Sequence, residues 1–596
     1  MSNEPTNPHL LICNGAPTTG IGRRGPEWSR VAPKRLATFG TGSNVTLRIT
    51  DITDQVLRRL PPLVEDLVEL SALVYAADQW CLRTPGVGFE YGTMWHRTFR
   101  FEVAVREPDF WNRPDVLRRL RDTLGFLSDD HYEFAFTGYK DPPDFAGYLD
   151  YQEPDEPAPA PHEVMLFSGG LDSLTGAAEQ VIVGGRRVAL VSHKPVDTLA
   201  TKQKDLVTEI RRRARERHPG VRPMHVAVKA NKEGQLTLDN TQRSRSFLYA
   251  SLAAAVAEQF GLDAIHFYEN GVVSINLPLC AQEVGSRATR TTHPQVLAGF
   301  AQLFTMVLGR DFEVRNKYLW ATKEDVLRRL LRTEQADLAR QSFSCVHTRL
   351  IMTRRPHCGL CSQCLSRWVA SLGAGYGEND PSAGYDVDVL TGERKRDADR
   401  ILAERYIGWA RRVERMTSIE EFNLQFAAEL GRVHPFVDEP EDSAMGKLFE
   451  LHREHARQVG EAIKRPMMEH VHELWSQQLP NTCALAYACS PTLIGDAGQH
   501  PATEQKADAR PPLPAVRLQG IGKPVYVREK LKKALGKAQY AVVESLVKAG
   551  DVGLSKDSLE AICGDARGVL RRLARDEDWG SVIHLPGKPG VGYRIG

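Results

Sequence analysis

From Val164 onward, short apolar segments alternate with helical segments in the sequence. The apolar segments are VMLF (164–167), RRVALVS (186–192), RPMHVAV (222–228) and DAIHFYE (263–269). Short buried strands that alternate with helices are typical of a parallel sheet covered by helices on both faces. We therefore predict an α/β fold with a parallel sheet for this part of the chain.

A phosphate-binding turn is predicted directly after the first of these strands. Its residues are Ser168, Gly169, Gly170, Leu171, Asp172 and Ser173. Paired glycines let backbone N–H groups approach a ligand, and the start of the next helix adds partial positive charge, so the segment suits phosphate. It has neither the Gly-Lys-Ser/Thr ending of a Walker loop nor the G-x-G-x-x-G pattern. A plain turn, capped by Asp172 and Ser173, is the alternative.

Asp172 also bears on the ligand of this turn. A carboxylate beside phosphates is repelled by them unless a cation lies between the two. We therefore expect Mg²⁺ to bind there together with a nucleotide.

The cysteines provide a second signal. Ten cysteines in 596 residues are too few for a disulfide scaffold, but four of them fall within a short segment. These four are Cys345, Cys358, Cys361 and Cys364. Four thiolates are the ligands of a closed tetrahedral zinc site, and an iron–sulfur cluster is the alternative.

The segment SGGLDS after a buried strand resembles the signature of the PP-loop ATP pyrophosphatases, which have the adenine nucleotide alpha hydrolase-like fold. This resemblance implies that ATP is split into AMP and pyrophosphate and that a substrate oxygen is adenylated. A nitrogen or sulfur nucleophile then attacks the activated group.

Together with the distal cysteines, SGGLDS resembles the 7-cyano-7-deazaguanine synthase (QueC) family over residues 163–372. Two further segments support this resemblance, TQRSRSFLYASLAAAVAE (241–258) and NKYLWATKEDVL (316–327). They imply that Arg245 binds ATP and that Lys323 is catalytic, together with Asp172 and Ser173. Without the family, Arg245 is an ordinary basic loop residue and Lys323 a solvated lysine.

The family resemblance also implies a reaction. ATP activates the carboxylate of 7-carboxy-7-deazaguanine, ammonia converts it to an amide, and a second ATP drives dehydration to the nitrile. The zinc implied by the resemblance is structural, because four thiolates leave no open coordination position.

The substrate loop departs from the family pattern. The sequence there is ENGVVSINLPLCAQEVGSRATRTTHP (269–294), and Ser246 replaces an expected asparagine. We therefore expect a rebuilt substrate surface, although a polar loop at the carboxyl end of a strand is the alternative. The candidate substrate residues are Glu269, Asn270, Arg287 and Arg290.

The sequence divides into six predicted parts. They are an α+β domain (1–150), a linker (151–163), the PP-loop core with its zinc-binding extension (164–372), a helical region (373–489), a second linker (490–516) and a winged helix-turn-helix (517–596). Proteins of the QueC type with such additions resemble those of antiphage defence operons. That resemblance implies a protein amine as the acceptor in place of ammonia, supplied by an operon partner.

The C-terminal part carries 15 Lys/Arg against 9 Asp/Glu from residue 517 onward. Its predicted recognition helix is basic, which suits contacts with nucleic-acid phosphates, and docking of a protein is the alternative. The basic residues of that helix are Arg567, Arg571, Arg572 and Arg575.

Several classes are excluded or disfavoured. No segment approaches the roughly 18 apolar residues of a membrane-spanning helix. The N-terminus MSNEPTNPHL does not resemble a secretory signal, so we expect a cytoplasmic protein. A formal charge of +2 argues against a protein that coats nucleic acid. Two alternative functions stay open, a PP-loop tRNA thiolase with an iron–sulfur cluster and an inactive nucleotide sensor tethered to nucleic acid.

Overall fold

The computed structural model describes most of the chain. The described residues are 7–17, 28–40, 42–52, 59–83, 96–143, 160–195, 197–236, 243–279, 290–347, 355–380, 384–489, 516–518, 525–527, 530–549, 554, 556–584 and 593–595. They form two compact units, Met1–Gly495 and Asp496–Gly596. No helix among these residues is long and apolar enough to cross a membrane.

The first unit is built from two sheets and the helices that cover them. Its described strands are β1 (Pro8–Cys13), β2 (Pro33–Leu36), β3 (Val45–Leu47), β4 (Thr98–Val105), β5 (His131–Gly138), β6 (Glu163–Leu166), β7 (Val188–Lys194), β8 (Met224–Lys232), β9 (Ala264–Phe267) and β10 (Glu313–Asn316). The helices up to the cysteine segment are α1 (Pro62–Trp80), α2 (Pro108–Trp111), α3 (Pro114–Ser128), α4 (Leu171–Ala177), α5 (Asp197–Arg217), α6 (Arg245–Gln259), α7 (Gly271–Ile275), α8 (Pro294–Leu308), α9 (Lys323–Arg332) and α10 (Ala336–Gln341). The later helices are α11 (Ser362–Gly373), α12 (Asp397–Arg415), α13 (Ile419–Leu430), α14 (Glu441–Glu469), α15 (Val471–Trp475) and α16 (Ala484–Cys489).

The first sheet has the strand order β2-β1-β4-β5, and every neighbouring pair is parallel. We predict an α+β arrangement for residues 1–150 from the sequence, whereas four of the five strands described there, β1, β2, β4 and β5, pair in parallel as in an α/β fold. The reason lies in the connections, because α3 joins β4 to β5, and a helical crossover brings two strands into parallel alignment.

The second sheet has the order β10-β9-β6-β7-β8-β3. Strands β6 to β10 are parallel, which confirms the predicted α/β core. The sixth strand, β3, comes from the N-terminal part of the chain and pairs antiparallel with β8, with Val45 opposite Lys232. The N-terminal part therefore closes one edge of the core sheet.

A single hydrophobic core joins the two sheets. Its fully buried members include Leu73 of α1, Phe101 of β4, Val164 of β6 and Leu252 of α6. Helix α1 packs directly against α6. Apolar burial of this kind is the main stabilising contribution to a fold, so the two sheets stabilise each other.

The region after residue 373 is helical, as the sequence predicts. Helices α12 and α14 pack against each other, and α14 also packs against α11 of the cysteine segment. The helices α13 and α14 are separated by residues 431–440.

The second unit combines a small sheet with a group of short helices. Strands β11 (Val516–Arg517), β12 (Val525–Val527) and β13 (Lys530–Lys532) form an antiparallel sheet. Helices α17 (Lys537–Ala549), α18 (Lys556–Ile562), α19 (Ala566–Leu573) and α20 (Glu577–Gly580) follow, then the antiparallel pair β14 (Ile583–His584) and β15 (Arg594–Ile595). Buried side chains such as Leu546, Leu559 and Leu570 give this unit its own core.

Candidate functional site

The site lies where the strand order of the core sheet reverses. From β6 the chain proceeds through β7 to β8 on one side, and it then returns to β9 on the other side of β6. The segments that leave β6 and β9 therefore meet at the carboxyl end of the sheet. This switch point is where open α/β sheets bind ligands.

The predicted phosphate-binding turn connects β6 to α4. Gly169 has φ +83°, and a Cβ atom there would lie 2.6 Å from Cζ of Phe343, so only glycine fits. The Ser168 hydroxyl accepts a hydrogen bond from the Gly170 amide at 3.2 Å and lies 3.1 Å from the Ser173 hydroxyl. The turn is thus held in shape by its own side chains.

Asp172 and Lys323 form a buried ion pair at the start of α4 and α9. The Lys323 Nζ atom lies 3.0 Å from Oδ1 and 3.1 Å from Oδ2 of Asp172. Asn270 donates to Asp172 Oδ2 from its side chain at 2.8 Å and from its backbone at 3.2 Å. Burial alone would raise the pKa of the Asp172 carboxyl, but Lys323 and these hydrogen bonds hold it below its ordinary value.

The pKa of Glu269, which precedes Asn270, is shifted in the opposite direction. Burial and the neighbouring charge of Asp172 raise the pKa of Glu269 well above its ordinary value. The pKa values of Asp172 and Glu269 are therefore shifted in opposite directions. Two carboxyl groups whose pKa values are driven apart are a common feature of active sites.

These residues line one cavity of about 890 Å³, a size typical of small-molecule sites. Nearly all of the predicted nucleotide and catalytic residues contribute to its wall. Those that do are Ser168, Gly170, Leu171, Asp172, Ser173, Arg245 and Lys323. Glu269 lines the cavity too, as do Cys345 and Cys358 of the cysteine cluster.

Arg245 begins helix α6 and packs over an aromatic ring. Its guanidinium lies 5.0 Å from the centre of the Tyr249 ring and donates to the Tyr249 hydroxyl at 3.2 Å. Both residues line the cavity. Arg245 is therefore not the ordinary basic loop residue that the sequence also allows, because it begins a helix and lines the cavity.

Two further predicted substrate residues that the structure describes, Asn270 and Arg290, do not line the cavity. Asn270 caps α7 by accepting from the Val273 amide at 3.1 Å, so its role in this structure is to hold Asp172 in place. Arg290 pairs with Asp129 at 3.0 Å and stacks 4.6 Å from the ring centre of Phe126. Arg287 lies outside the described residues.

The four predicted cysteines come together as one buried cluster. Their Sγ atoms all lie within 4.8 Å of one another. Individual separations are 3.4 Å between Cys361 and Cys364, 3.8 Å between Cys358 and Cys364, and 4.0 Å between Cys345 and Cys361. Four thiolates at about 2.3 Å from one zinc ion are separated by about 3.8 Å. The group therefore fits a single tetrahedral ion.

The same spacing bears on the iron–sulfur alternative. A cluster with several irons places iron and sulfide ions between its thiolates, so it separates them more widely than a single ion does. Neither neighbouring histidine belongs to the group, since the His347 amide donates to Cys345 Sγ and the His357 ring packs on Tyr385. Burial and the nearby charge of Arg367 lower the pKa of His357 to about 3.

Short connections couple the cysteine cluster to the phosphate-binding turn. The Phe343 amide donates to the Gly169 carbonyl at 3.2 Å, two residues before Cys345. Buried Arg367 on α11 donates to the Ser342 hydroxyl at 2.8 Å and to Asp380 at 2.9 Å. Hydrogen bonds therefore link the cysteine segment to the turn.

Sequence reasoning misses several residues of the cavity wall. Arg243, 7% exposed, lies there with a pKa lowered to about 10 by burial and by Arg83. The basic run that contains Arg245 also contains Arg243, so a signal was present. Gln79 of α1 lines the cavity as well, and no motif marks it.

The Gln203 side chain supports the turn from α5, since its Nε2 atom donates to the Ser168 carbonyl at 3.1 Å.

A scan against models of protein families matches none of them to this chain, and a search of curated proteins finds no relative.

Proposed function

We propose that the first unit is an ATP-dependent carbon–nitrogen ligase of the PP-loop, QueC-like type. It adenylates the carboxylate of a 7-deazaguanine, 7-carboxy-7-deazaguanine, and transfers the acyl group to an amine, with AMP and pyrophosphate as products. The observation that carries the proposal is the buried Asp172–Lys323 pair beneath a glycine turn, in a cavity that also contains Arg245 and Glu269.

The backbone N–H groups of the turn and the hydroxyls of Ser168 and Ser173 suit the β- and γ-phosphates of ATP. Lys323 adds a positive charge where negative charge develops on the phosphates, which stabilises a transition state without rearrangement. Asp172 is the residue that would hold Mg²⁺, which proteins bind through one or two carboxylates together with phosphate oxygens. That ion would supply charge neutralisation at the phosphates.

The proposed reaction has two steps, adenylation and transfer to the amine. A carboxylate oxygen of the substrate bonds to the α-phosphorus, and the bond to the bridging oxygen breaks to release pyrophosphate. The amine nitrogen then attacks the acyl carbon, AMP leaves with the electron pair of the broken C–O bond, and the nitrogen gives its proton to water. Arg243 and Arg245 suit the carboxylate and the phosphates, because guanidinium groups bind planar oxyanions in a bidentate manner.

The cysteine cluster has a structural role in this proposal. Four thiolates would fill the coordination sphere of zinc, so no position is left for substrate. The Phe343–Gly169 hydrogen bond explains how such a site can support catalysis without taking part in it.

The acceptor is the least constrained part of the proposal. The flanking segments resemble those of defence-associated proteins, which favours an amine of a protein partner over ammonia. Co-expression with neighbouring gene products and intact mass spectrometry separates the two. A deazaguanine-sized adduct on a partner supports conjugation, whereas accumulation of the free nitrile without any adduct contradicts it.

The central experiment is incubation with ATP, Mg²⁺ and 7-carboxy-7-deazaguanine, with AMP measured by chromatography. Wild type should form AMP only when the deazaguanine is present, and Asp172→Ala should reduce the rate by at least about 100-fold. Asp337→Ala, at an exposed carboxylate paired with Arg213, is the matched control. Absence of substrate-dependent AMP in wild type would overturn the substrate, and ATP binding without turnover would favour the sensor.

A further inference from the structure

The side chain of Gln79 lies at the end of α1, in the wall of the cavity. The residue is only 2% exposed. Among the residues that the structure describes, neither Nε2 nor Oε1 of its amide has a hydrogen-bond partner. A buried amide with both groups unpaired is costly, because each has lost its hydrogen bonds to water.

Gln79 is held in this position by its neighbour. Asp78 accepts hydrogen bonds from the Ser244 hydroxyl at 2.9 Å and the Ser244 amide at 3.2 Å, and it pairs with Arg97 at 2.5 Å. These contacts attach the end of α1 to the start of α6. The Asp78 side chain therefore has hydrogen-bond partners in the protein. The amide of the next residue, Gln79, has none among the described residues and lies in the cavity wall.

A second unpaired polar group lies in the same wall. Ser246, 4% exposed, also lines the cavity, and its hydroxyl has no partner within the described part of the chain. Ser246 and Gln79 come from segments far apart in sequence. Their convergence on one cavity indicates a site for a polar ligand group, since buried polar atoms in proteins are almost always paired when the site is complete.

The chemistry of that ligand group follows from the charges. Arg243, Arg245 and Lys323 suit the anionic parts of the reactants, namely phosphates and carboxylate. An uncharged amide, with one donor group and one acceptor, instead complements a neutral edge that carries neighbouring acceptors and donors. The carbonyl, ring N–H and amino group of a guanine-type ring form such an edge.

We propose that Gln79, together with Ser246, recognises the hydrogen-bonding edge of the 7-deazaguanine base. The inference rests on the proposed function for the identity of the base. It assigns to the N-terminal part of the chain the residue that determines substrate specificity. A site with buried groups that only the correct ligand satisfies rejects analogues lacking those groups strongly.

Isothermal titration of the full chain tests this assignment with two probes measured separately, 7-carboxy-7-deazaguanine and a non-hydrolysable ATP analogue. Gln79→Leu should bind the deazaguanine about 10- to 100-fold more weakly and the ATP analogue unchanged. Gln79→Glu, which keeps the shape and loses the donor, should also lose affinity for the deazaguanine. Ser246→Ala should show a smaller loss.

The control is Gln259→Leu, on the same helix as Ser246 but outside the cavity wall and 4% exposed. It should bind both probes like wild type. The melting temperature of Gln79→Leu should not fall, because removing an unpaired buried amide is neutral or stabilising. A melting temperature that falls in Gln79→Leu together with both affinities would mean a purely structural role and would overturn the inference.

Two other results separate the inference from the proposed function. Unchanged deazaguanine affinity in both Gln79 variants, with wild type binding normally, would overturn the inference and leave the function intact. Loss of affinity for the ATP analogue alone would also overturn it, since Gln79 would then recognise adenine. Wild type without affinity for the deazaguanine would overturn the proposed substrate and the inference together.

Discussion

The ammonium group of Lys323 lies 3.0 and 3.1 Å from the two carboxylate oxygens of Asp172, and both side chains are almost entirely buried. From the sequence we inferred a cation beside Asp172 and assigned that role to Mg²⁺. The structure places a lysine there. In the proposed function, Lys323 would therefore reduce the repulsion between Asp172 and the phosphates alongside Mg²⁺, and Lys323 is the first residue to test.

Lys323→Met should abolish substrate-dependent AMP formation and lower the free energy of unfolding by about 3–5 kcal/mol, because the charge of Asp172 is left buried and unpaired. Urea unfolding followed by tryptophan fluorescence measures the second effect. The double variant Lys323→Met/Asp172→Asn removes both charges and should regain most of the stability without regaining activity. Stability that stays low in the double variant would contradict the ion-pair explanation.

Glu269→Gln should change how stability depends on pH. The folded protein raises the pKa of Glu269 above 4.5 and so binds its proton more tightly than the unfolded chain does. Wild type consequently loses stability as the pH rises above that value. The glutamine variant keeps a donor towards Asp172 without this loss, so the margin by which its melting temperature exceeds that of wild type should grow as the pH rises above 4.5. A margin that does not change with pH would argue against a raised pKa of Glu269.

Cys364→Ser should remove the bound metal. Elemental analysis of purified wild type should find about one zinc per chain, and the variant should hold little, because a structural zinc site needs all four ligands. The melting temperature and the affinity for ATP should fall together. Cys483→Ala, at an equally buried cysteine outside the cluster, should keep its zinc. Iron in place of zinc, with a brown colour, would instead favour the thiolase.

Gly169→Ala should weaken ATP binding by more than the cost of placing alanine in a left-handed backbone conformation. A left-handed conformation costs alanine about 1–2 kcal/mol, and the new methyl group would collide with Phe343. Gly309→Ala has a similar positive φ but meets no atom within 4 Å, so it carries only the backbone cost. Calorimetric titration with an ATP analogue should therefore show a loss for Gly169→Ala and none for Gly309→Ala.

Arg571→Ala tests whether the second unit binds nucleic acid. In this unit Arg567 pairs with Glu560, and Arg572 pairs with Asp565, whereas exposed Arg571 has no ion-pair partner among the described residues. If the proposed winged helix contacts phosphates, Arg571→Ala should weaken binding and reduce its salt dependence more than Arg567→Ala does. Gel-shift titrations at several salt concentrations measure both effects. No shift at low salt would favour protein docking.

The parts of the site that could be predicted from sequence are those encoded in short segments. The turn at residues 168–173 and the four cysteines depend on local spacing, and the structure places most of the turn and two of the cysteines, Cys345 and Cys358, in the same cavity wall. Lys323 and Arg245 could be located only through resemblance, because one lysine or arginine in a helix start has no distinctive local pattern.

Other features depend on distant contacts and leave no local pattern. The hydrogen bond from Ser244 to Asp78 joins residues 166 positions apart, and neither residue stands out in the sequence. Arg290 is a predicted substrate residue for which the structure shows another contact. A charged residue in a polar loop suggests a ligand contact, yet here it pairs with Asp129 on the N-terminal part of the chain.

The strand β3 and helix α1 lie outside the third of the chain that carries the motifs, but they close the edge of the core sheet and cover α6. A protein trimmed to residues 164–372 would leave β8 with an open edge and α6 with an uncovered apolar face. Open edges and apolar faces lead to aggregation. The N-terminal segment is therefore an integral part of the core structure and not a separable module.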